Sequence, residues 1–224
     1  MGSGVFGAKM VQCPSCARRS EPCLVCPQCG GPLPAETDGF TALGLPPKLV
    51  IDLDELERAY HTISRRIHPD HFVASPPDVR AASLKGTALL TRSYRILRDS
   101  ISRGIYWLEL KGDKLSESNN RVPAELAELV FEVQEQLAEL RASRDQSGDQ
   151  SKGLAANMLH VRQDLDIAMN RALDELNGNF RRWDSGAASE ASLRGELKAV
   201  LARIAYLRTL IRDVDRELET VEAA

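Results

Sequence analysis

Two Cys-Pro-x-Cys pairs near the start of the chain have the residue types and the spacing of a metal site. Cys13 pairs with Cys16 and Cys26 pairs with Cys29, and nine residues lie between the two pairs. Such pairs in tandem supply four thiolates, which is the ligand set of tetrahedral structural zinc. A reducing cytosol disfavours disulfides between these cysteines. We therefore predict a structural zinc ion bound by these four side chains.

The cysteines also admit a rubredoxin-like iron site, a redox-active thiol pair or free thiols. Cys23 stands in Cys-x-x-Cys register with Cys26, so it competes for a place in the ligand set. We assign Cys26 and Cys29 as the second pair because both belong to a Pro-Gly knuckle, and Cys23 is left without a role. A segment this small buries too little apolar surface to fold alone, so a metal must supply much of its folding free energy.

A second chemically distinctive group is His68-Pro69-Asp70, which follows a helix-patterned run from Leu53 to Ile67. Pro69 has no amide proton to donate to a helix, and it drives His68 toward an extended backbone. The imidazole of His68 and the carboxylate of Asp70 are therefore predicted to be exposed on a stiff loop.

The elements that must position this loop are two helices. Asp52 and Glu55 stand in capping-box register at the start of the first helix. The second helix is predicted to begin with Ser75 as its N-cap and Pro76 at its first position. The first helix has an apolar face and a basic face. The apolar face is predicted to contain Leu53, Leu56, Tyr60, Ile63 and Ile67, and the basic face to contain Arg58, Arg65 and Arg66.

The remaining sequence favours helix throughout and argues against a membrane protein. No apolar run approaches the roughly 20 residues that span a bilayer, and the first residues resemble neither a secretory signal nor an Arg-rich transit peptide. We expect a cytoplasmic protein. The net charge is −3, and residues 113–224 alone sum to −6. That acidic half argues against a nucleic-acid backbone as its ligand.

Three long amphipathic patterns in the C-terminal half predict an antiparallel three-helix bundle, so the fold class is all-α. They run over about 123–142, 154–183 and 189–221, with polar breaks at Ser143–Gly153 and Asp184–Ala188. The predicted domains are 1–37 (cysteine segment and linker), 38–112 (helical hairpin) and 113–224 (bundle). His160 is a lone histidine on a helix and is assigned a structural or solvent-facing role.

The first of these three helices has an unusual acidic stripe. Its carboxylates repel one another and have few Lys or Arg residues four positions downstream, which favours a use in binding. A plain solvated surface is the alternative. The stripe consists of Glu125, Glu128, Glu132, Glu135 and Glu139.

Several segments resemble those of one protein family. The basic helix followed by His-Pro-Asp resembles a J domain, and residues 40–46 (Phe-Thr-Ala-Leu-Gly-Leu-Pro) resemble the start of the domain in the HscB family, the J-domain co-chaperones of iron–sulfur cluster assembly. Residues 89–97, 100–108 and 123–141 resemble three further family segments. The sequence departs from the family pattern at four positions, namely His71, Thr91, Ser100 and Gly104.

The resemblance implies a non-enzymatic co-chaperone with two protein partners. It implies that the chain stimulates ATP hydrolysis by a heat-shock-70 class chaperone (HscA-type) and delivers to it an iron–sulfur scaffold protein (IscU-type). The implied chaperone-binding residues are His68, Pro69, Asp70, Arg58, Arg65 and Arg66. The implied client-binding residues are Phe131, Glu132, Glu135, Glu139 and Tyr206.

The resemblance also covers the cysteines, since some relatives have a comparable four-cysteine extension; self-association through this extension is left open.

Other classes of protein are alternatives at this point. A zinc-ribbon nucleic-acid binder, a metal-dependent hydrolase using His68, Asp70 and His71, and a general scaffold protein all fit part of the sequence. The cysteine segment has a net charge of only +1 and few aromatic residues for base stacking, which disfavours nucleic acid.

Overall fold

The structure is a computed structural model that describes residues 10–113, 123–142 and 148–222. Helices dominate it, which confirms the all-α prediction. Two compact units are present, Met1–Arg103 and Gly104–Ala224. The first nine residues, which are predicted to carry no targeting signal, lie outside the described residues. Within the described ranges, no helix combines the length and the apolar composition that a membrane crossing requires.

The cysteine segment forms a small ribbon with a core of its own. Strand β1 (Val11–Gln12) pairs antiparallel with β2 (Arg19–Ser20). Val11 and Leu33 are buried together with Cys13 and Cys26. The stretch from Gly30 to Asp38 is predicted to be a linker, but its residues Pro32 and Leu33 are buried. The ribbon is closed by a bridge between Val25 and Pro32.

The hairpin begins with a short helix, α1 (Gly39–Ala42), and continues with α2 (Leu53–Ile67) at the predicted bounds. Asp52 caps α2 as predicted, because its Oδ1 accepts hydrogen bonds from the amides of the second and third helical residues at 2.9 and 3.2 Å. Leu56 and Ile67 are fully buried. Leu53, predicted on the same apolar face, is half exposed, so the buried stripe begins at Leu56.

The next helix, α3 (Pro77–Arg98), begins later than predicted. Its N-cap is Pro76, whose carbonyl accepts the first helical hydrogen bond from Arg80 at 3.1 Å. The predicted cap, Ser75, instead donates its amide to Phe72 and closes the preceding turn. The side chain of Pro76 has no hydrogen-bond acceptor, so the helix starts without a side-chain capping bond, and Pro77 at the first helical position leaves one fewer unpaired amide there.

Two contacts establish that α2 and α3 run antiparallel. The rings of Tyr60 and Tyr94 stack with centroids 4.4 Å apart. Seven residues further along α2, the carbonyl of Ile67 accepts a hydrogen bond from Ser83, which is earlier in α3. Helix α4 (Ser100–Leu110) follows, and the boundary between the compact units lies within it.

The second unit contains the three-helix bundle, with α5 (Ala127–Ala142), α6 (Gly148–Asp184) and α7 (Glu190–Glu222). A short 3-10 turn, Ala124–Leu126, leads into α5. The polar break predicted for 143–153 is too long, because α6 already begins at Gly148. Polar residues are compatible with the solvent face of a helix, and Gly153 is indeed exposed. Residues 143–147 lie outside the described part of the chain.

Interhelical ion pairs give the directions of the bundle helices. Arg182 pairs with Glu196 at 2.7 Å, and Arg162 pairs with Asp215 at 2.6 Å. Residues late in α6 therefore meet residues early in α7, so these helices are antiparallel.

Helix α5 runs in the same direction as α7. Glu125, just before α5, pairs with Arg203, and Arg141, at its end, pairs with Glu217 at 2.8 Å. An up-down-up bundle follows from these directions, as the three amphipathic patterns predict. Its core contains Val133, Leu137 and Leu140 from α5, Met158, Val161, Leu165, Leu176 and Phe180 from α6, and Leu193, Leu197, Val200, Leu201, Ile204, Leu207 and Val214 from α7.

Candidate functional site

The two cysteine knuckles are built alike. In the first, the amide of Ala17 donates to the carbonyl of Cys13 at 2.8 Å, and in the second the amide of Gly30 donates to Cys26 at 2.9 Å. Ala17 and Gly30 both adopt left-handed backbone conformations, with φ of 58° and 74°. Only small residues are easily accommodated there, which explains the residue types that follow each pair.

The knuckles bring four sulfur atoms into one cluster. The Sγ atoms of Cys13, Cys16, Cys26 and Cys29 all lie within 4.8 Å of one another. Two distances between the knuckles are 3.6 Å (Cys13 to Cys29) and 3.8 Å (Cys16 to Cys26). A tetrahedral zinc ion with Zn–S bonds of about 2.3 Å requires sulfur atoms about 3.8 Å apart. The cluster therefore has the dimensions of a four-thiolate zinc site.

The two cysteines of the second knuckle differ in pKa. Burial opposes ionisation of Cys26, but the backbone amides of Cys29 and Gln28 donate to its sulfur and lower its pKa to about 7. The amide of Gly31 favours the thiolate of Cys29, yet burial and the neighbouring thiols outweigh it and raise the pKa of Cys29 to about 12. Four thiolates at this spacing need a positive charge between them, and metal binding supplies it.

Cys23 lies outside this cluster. Its thiol donates a hydrogen bond to the carbonyl of Val25 at 3.2 Å, and partial burial raises its pKa. The geometry thus separates Cys23 from the four clustered cysteines, although its spacing from Cys26 would permit a Cys-x-x-Cys pair.

The His-Pro-Asp residues lie where α2 ends. His68 has φ of −58° and ψ of 131°, and residues Pro69–Phe72 form a single 3-10 turn. The amide of Asp70 donates to Nδ1 of His68 at 3.4 Å, so Nε2 is the ring nitrogen left for a partner. The side chains of His68 and Asp70 are 48% and 85% exposed, as predicted. We call residues 68–72 the docking turn, after the role that the sequence resemblance implies.

A basic surface precedes the docking turn. Arg58, Arg65 and Arg66 are all exposed on α2, seven and eight residues apart, which places them on one side of the helix. None of the three forms an ion pair with another residue in the described ranges, so their charge is available to a partner.

Sequence reasoning missed a shallow groove beside Pro69 of the docking turn. It has a volume of about 630 Å³ and lies between Pro69 and the outer face of α3, where Leu84, Arg92 and Arg95 line it. Leu84 is 59% exposed. The sequence signal that could have indicated this groove is the recurrence of apolar and basic residues on an outward face of α3.

The predicted client-binding residues of α5 are on the surface of the bundle. Phe131 is 71% exposed, which is high for a large aromatic side chain. Glu132, Glu135 and Glu139 are also exposed, and none of them forms an ion pair with a described residue. We call these four residues the client face, after the role that the sequence resemblance implies.

Glu125 of the acidic stripe and Tyr206, a predicted client-binding residue, differ from the four residues of the client face. Glu125 is paired with Arg203 of α7, so one member of the stripe has a basic partner on another helix. Tyr206 is partly buried on α7, and no ring contact joins it to Phe131 in the part of the chain that the structure describes. The structure therefore does not bring Tyr206 into one aromatic cluster with Phe131.

An exposed His-Pro-Asp turn between antiparallel helices is the arrangement expected of a J-type co-chaperone, and a three-helix bundle follows it here. No protein-family model matches the sequence. The HscB homolog of Bordetella petrii, named a co-chaperone protein, is 32% identical over 145 residues, which cover 60% of this chain and 85% of that protein. The one from Aromatoleum aromaticum is 26% identical over 188 residues, covering 84% and 97%.

Solved structures have the same fold. The human co-chaperone protein HscB matches with a TM-score of 0.62 and 19% identity, over 92% of this chain and 97% of that one. The chaperone HscB from Vibrio cholerae matches with a TM-score of 0.56 and 19% identity, over 80% and 96%. The chain belongs to the HscB co-chaperone family. Its relatives are named as co-chaperones and not as enzymes.

Proposed function

We propose that this protein is a cytoplasmic co-chaperone that stimulates ATP hydrolysis by a heat-shock-70 class chaperone of the HscA type. It delivers an iron–sulfur scaffold protein of the IscU type to that chaperone during iron–sulfur cluster assembly. The observation that carries the proposal is the exposed docking turn, with His68 and Asp70 presented between two antiparallel helices in an HscB family member. The chain itself performs no hydrolysis.

The docking turn and the basic surface of α2 form one contact area for the chaperone. Arg58, Arg65 and Arg66 attract an acidic surface and orient the encounter. His68, Pro69 and Asp70 then make the short-range contacts, because the 3-10 turn holds them in a defined arrangement. Docking favours the hydrolysis-competent state of the chaperone by binding that state more tightly.

The client face binds the scaffold protein. Phe131 supplies an apolar anchor, and the carboxylates of Glu132, Glu135 and Glu139 add negative charge along the helix on its C-terminal side. An aromatic anchor with a polar rim is the usual anatomy of a small protein interface. Tyr206 is proposed to extend this face from α7.

Two binding surfaces on one chain raise the local concentration of the client. We assign chaperone docking to residues 38–112 and client binding to residues 113–224. Once both partners are bound, transfer between them becomes effectively intramolecular.

The cysteine segment holds a structural zinc ion through Cys13, Cys16, Cys26 and Cys29. The sulfur spacing fits this ion, and the segment has only a small core of its own. Zinc stabilises the folded segment by joining its two knuckles, since metal binding and folding are coupled in units of this size.

Replacing single cysteines tests the ligand set. Cys16→Ser removes one of four ligands from a site worth about 10–16 kcal/mol, so we expect zinc affinity to fall at least about a hundredfold. Cys23→Ser is the matched control and should retain one zinc ion at wild-type affinity, because Cys23 lies outside the cluster. Chelator competition followed by metal analysis measures both. Equal loss in the two variants would refute the assignment.

The proposed function is tested by single-turnover ATP hydrolysis. An HscA-type chaperone is mixed with the wild-type chain at micromolar concentration, with and without an IscU-type scaffold protein. We expect faster hydrolysis on addition of the chain and a further increase when the scaffold is present. A hydrolysis rate that does not respond to the chain would overturn the proposal.

A further inference from the structure

One leucine of the cysteine segment is buried outside that segment's own core. Leu24 lies between the two knuckles and is only 2% exposed. The core of the segment consists of Val11, Cys13, Cys26 and Leu33, and Leu24 is not among them. Its Cδ2 atom instead lies 3.8 Å from the position that a Cβ atom would occupy on Gly86 of α3. Leu24 therefore packs onto the helical hairpin.

Gly86 marks the place where Leu24 meets the hairpin. Glycine in the interior of a helix is unfavourable and usually has a packing reason. A Cβ atom at this position would lie 3.3 Å from Cδ1 of Ile67, which is tighter than an ordinary contact. The missing side chain thus leaves a depression in α3 that Leu24 and Ile67 fill together.

Ile67 connects this depression to the docking turn. It is the last residue of α2, it is fully buried, and it directly precedes His68. Its carbonyl accepts hydrogen bonds from Ser83 at 2.7 Å and from Thr87 at 3.4 Å, one turn apart on α3. The base of the docking turn is therefore held at the same point of α3 that Leu24 covers.

We propose that Leu24 is a positioning residue through which the metal-loaded cysteine segment orders the docking turn. Metal binding folds the segment, the folded segment places Leu24 over Gly86, and Leu24 keeps Ile67 seated beneath His68. Loss of the metal releases Leu24 and lets the turn open locally. The consequence for chaperone activation rests on the proposed function, whereas the ordering of the turn does not.

The coupling must act in both directions, because linkage between two sites is reciprocal. A well-packed hairpin should strengthen metal binding by the same factor by which metal orders the docking turn. Leu24→Ala should therefore weaken zinc binding although Leu24 is not a ligand. Leu24→Met should bind zinc as tightly as the wild type does, since methionine conserves the volume of the buried side chain.

Hydrogen–deuterium exchange of the full chain, with zinc bound and after zinc removal, tests the proposal. The readout is a peptide spanning residues 67–75, in which the amide of His71 bonds to the carbonyl of His68 at 3.0 Å. In the wild type, zinc removal should accelerate exchange about tenfold, within the usual range for coupled sites. In Leu24→Ala, exchange should be fast with and without zinc, and Leu24→Met should behave as the wild type.

Leu33→Ala is the matched control, because Leu33 is a buried leucine of the same segment that belongs to the segment's own core. At saturating zinc, the docking turn of Leu33→Ala should exchange as slowly as the docking turn of the wild type. Exchange of the wild-type peptide that does not depend on zinc would overturn the proposal, as would zinc-dependent exchange that persists in Leu24→Ala.

The wild-type comparison decides the matter even if Leu24→Ala does not fold. Zinc-dependent exchange in a chain that fails to stimulate a chaperone would refute the proposed function and leave this inference standing. If the chain stimulates the chaperone but its docking turn exchanges at the same rate with and without zinc, this inference is refuted and the proposed function stands.

Discussion

Replacing His68 by glutamine is expected to reduce stimulation of the chaperone's ATP hydrolysis by about thirtyfold or more, the effect of losing one interface hot spot. The imidazole is held in place by the amide of Asp70, which donates to Nδ1 at 3.4 Å. Glutamine keeps a polar group but lacks the ring, and it loses side-chain freedom on binding. A partner that contacts Nε2 of His68 in this fixed position would therefore lose the contact, and glutamine would not hold a polar atom in the same orientation.

This substitution should change neither the fold nor the stability of the chain. His68 follows the last residue of α2 and is 48% exposed, so α2 and its packing against α3 need no imidazole. We expect unchanged helical content by circular dichroism and a change in unfolding free energy of no more than about 0.5 kcal/mol.

His160→Gln provides the matched control for the His68 experiment. His160 is also an exposed histidine, but it lies on α6 of the bundle. The measurement is single-turnover hydrolysis at several co-chaperone concentrations, which separates weaker docking from a lower maximal rate. If His68→Gln stimulates as well as His160→Gln does, the docking role of the turn is wrong.

Replacing Phe131 by alanine is the second large expected effect, on the other partner. Phe131 is 71% exposed in the free chain, so its removal should change stability by less than about 0.5 kcal/mol. In a complex, a central aromatic anchor typically contributes about 2 kcal/mol or more, so the Kd for the scaffold protein should rise about thirtyfold. Titration calorimetry with the IscU-type protein measures this change.

Leu159→Ala is the control for Phe131, because Leu159 is another exposed apolar residue of the bundle, 53% exposed on α6. It should leave the affinity for the scaffold protein unchanged. A similar loss in both variants would indicate general damage to the bundle, and an unchanged Kd in Phe131→Ala would exclude α5 as the client face.

The two substitutions should also be independent of each other. His68 lies in the compact unit that ends at Arg103, and Phe131 lies in the unit that begins at Gly104. We expect His68→Gln to bind the scaffold protein normally and Phe131→Ala to stimulate the chaperone normally when no scaffold is present. Such a separation is the behaviour of an adaptor with two binding surfaces.

The local features of this protein follow from its sequence because neighbouring residues determine them. Helical spacing of apolar residues, with Asp52 as a cap, predicts α2 at its observed bounds. Pro69 predicts the end of that helix and the exposure of His68, since a proline restricts the residue before it. The four clustered cysteines also follow from short spacings, because each knuckle is a local turn.

Some local predictions were wrong where two local rules competed. Serine is a good N-cap, but Pro77 takes the first helical position, so Pro76 becomes the N-cap and α3 starts without a side-chain capping bond. The polar stretch before residue 154 suggested a break, but polarity alone does not stop a helix, and α6 begins at Gly148.

Only the tertiary structure decided which distant residues meet. The exclusion of Cys23 from the sulfur cluster depends on how the two knuckles approach each other, and the pairing of Glu125 with Arg203 depends on the parallel course of α5 and α7. The burial of Leu24 over Gly86 depends on where the cysteine segment lies against α3. Periodicity and spacing report which side of an element is apolar, but they do not report which partner will cover it. That choice is made by non-local packing, in which side chains distant along the chain fill a shared space.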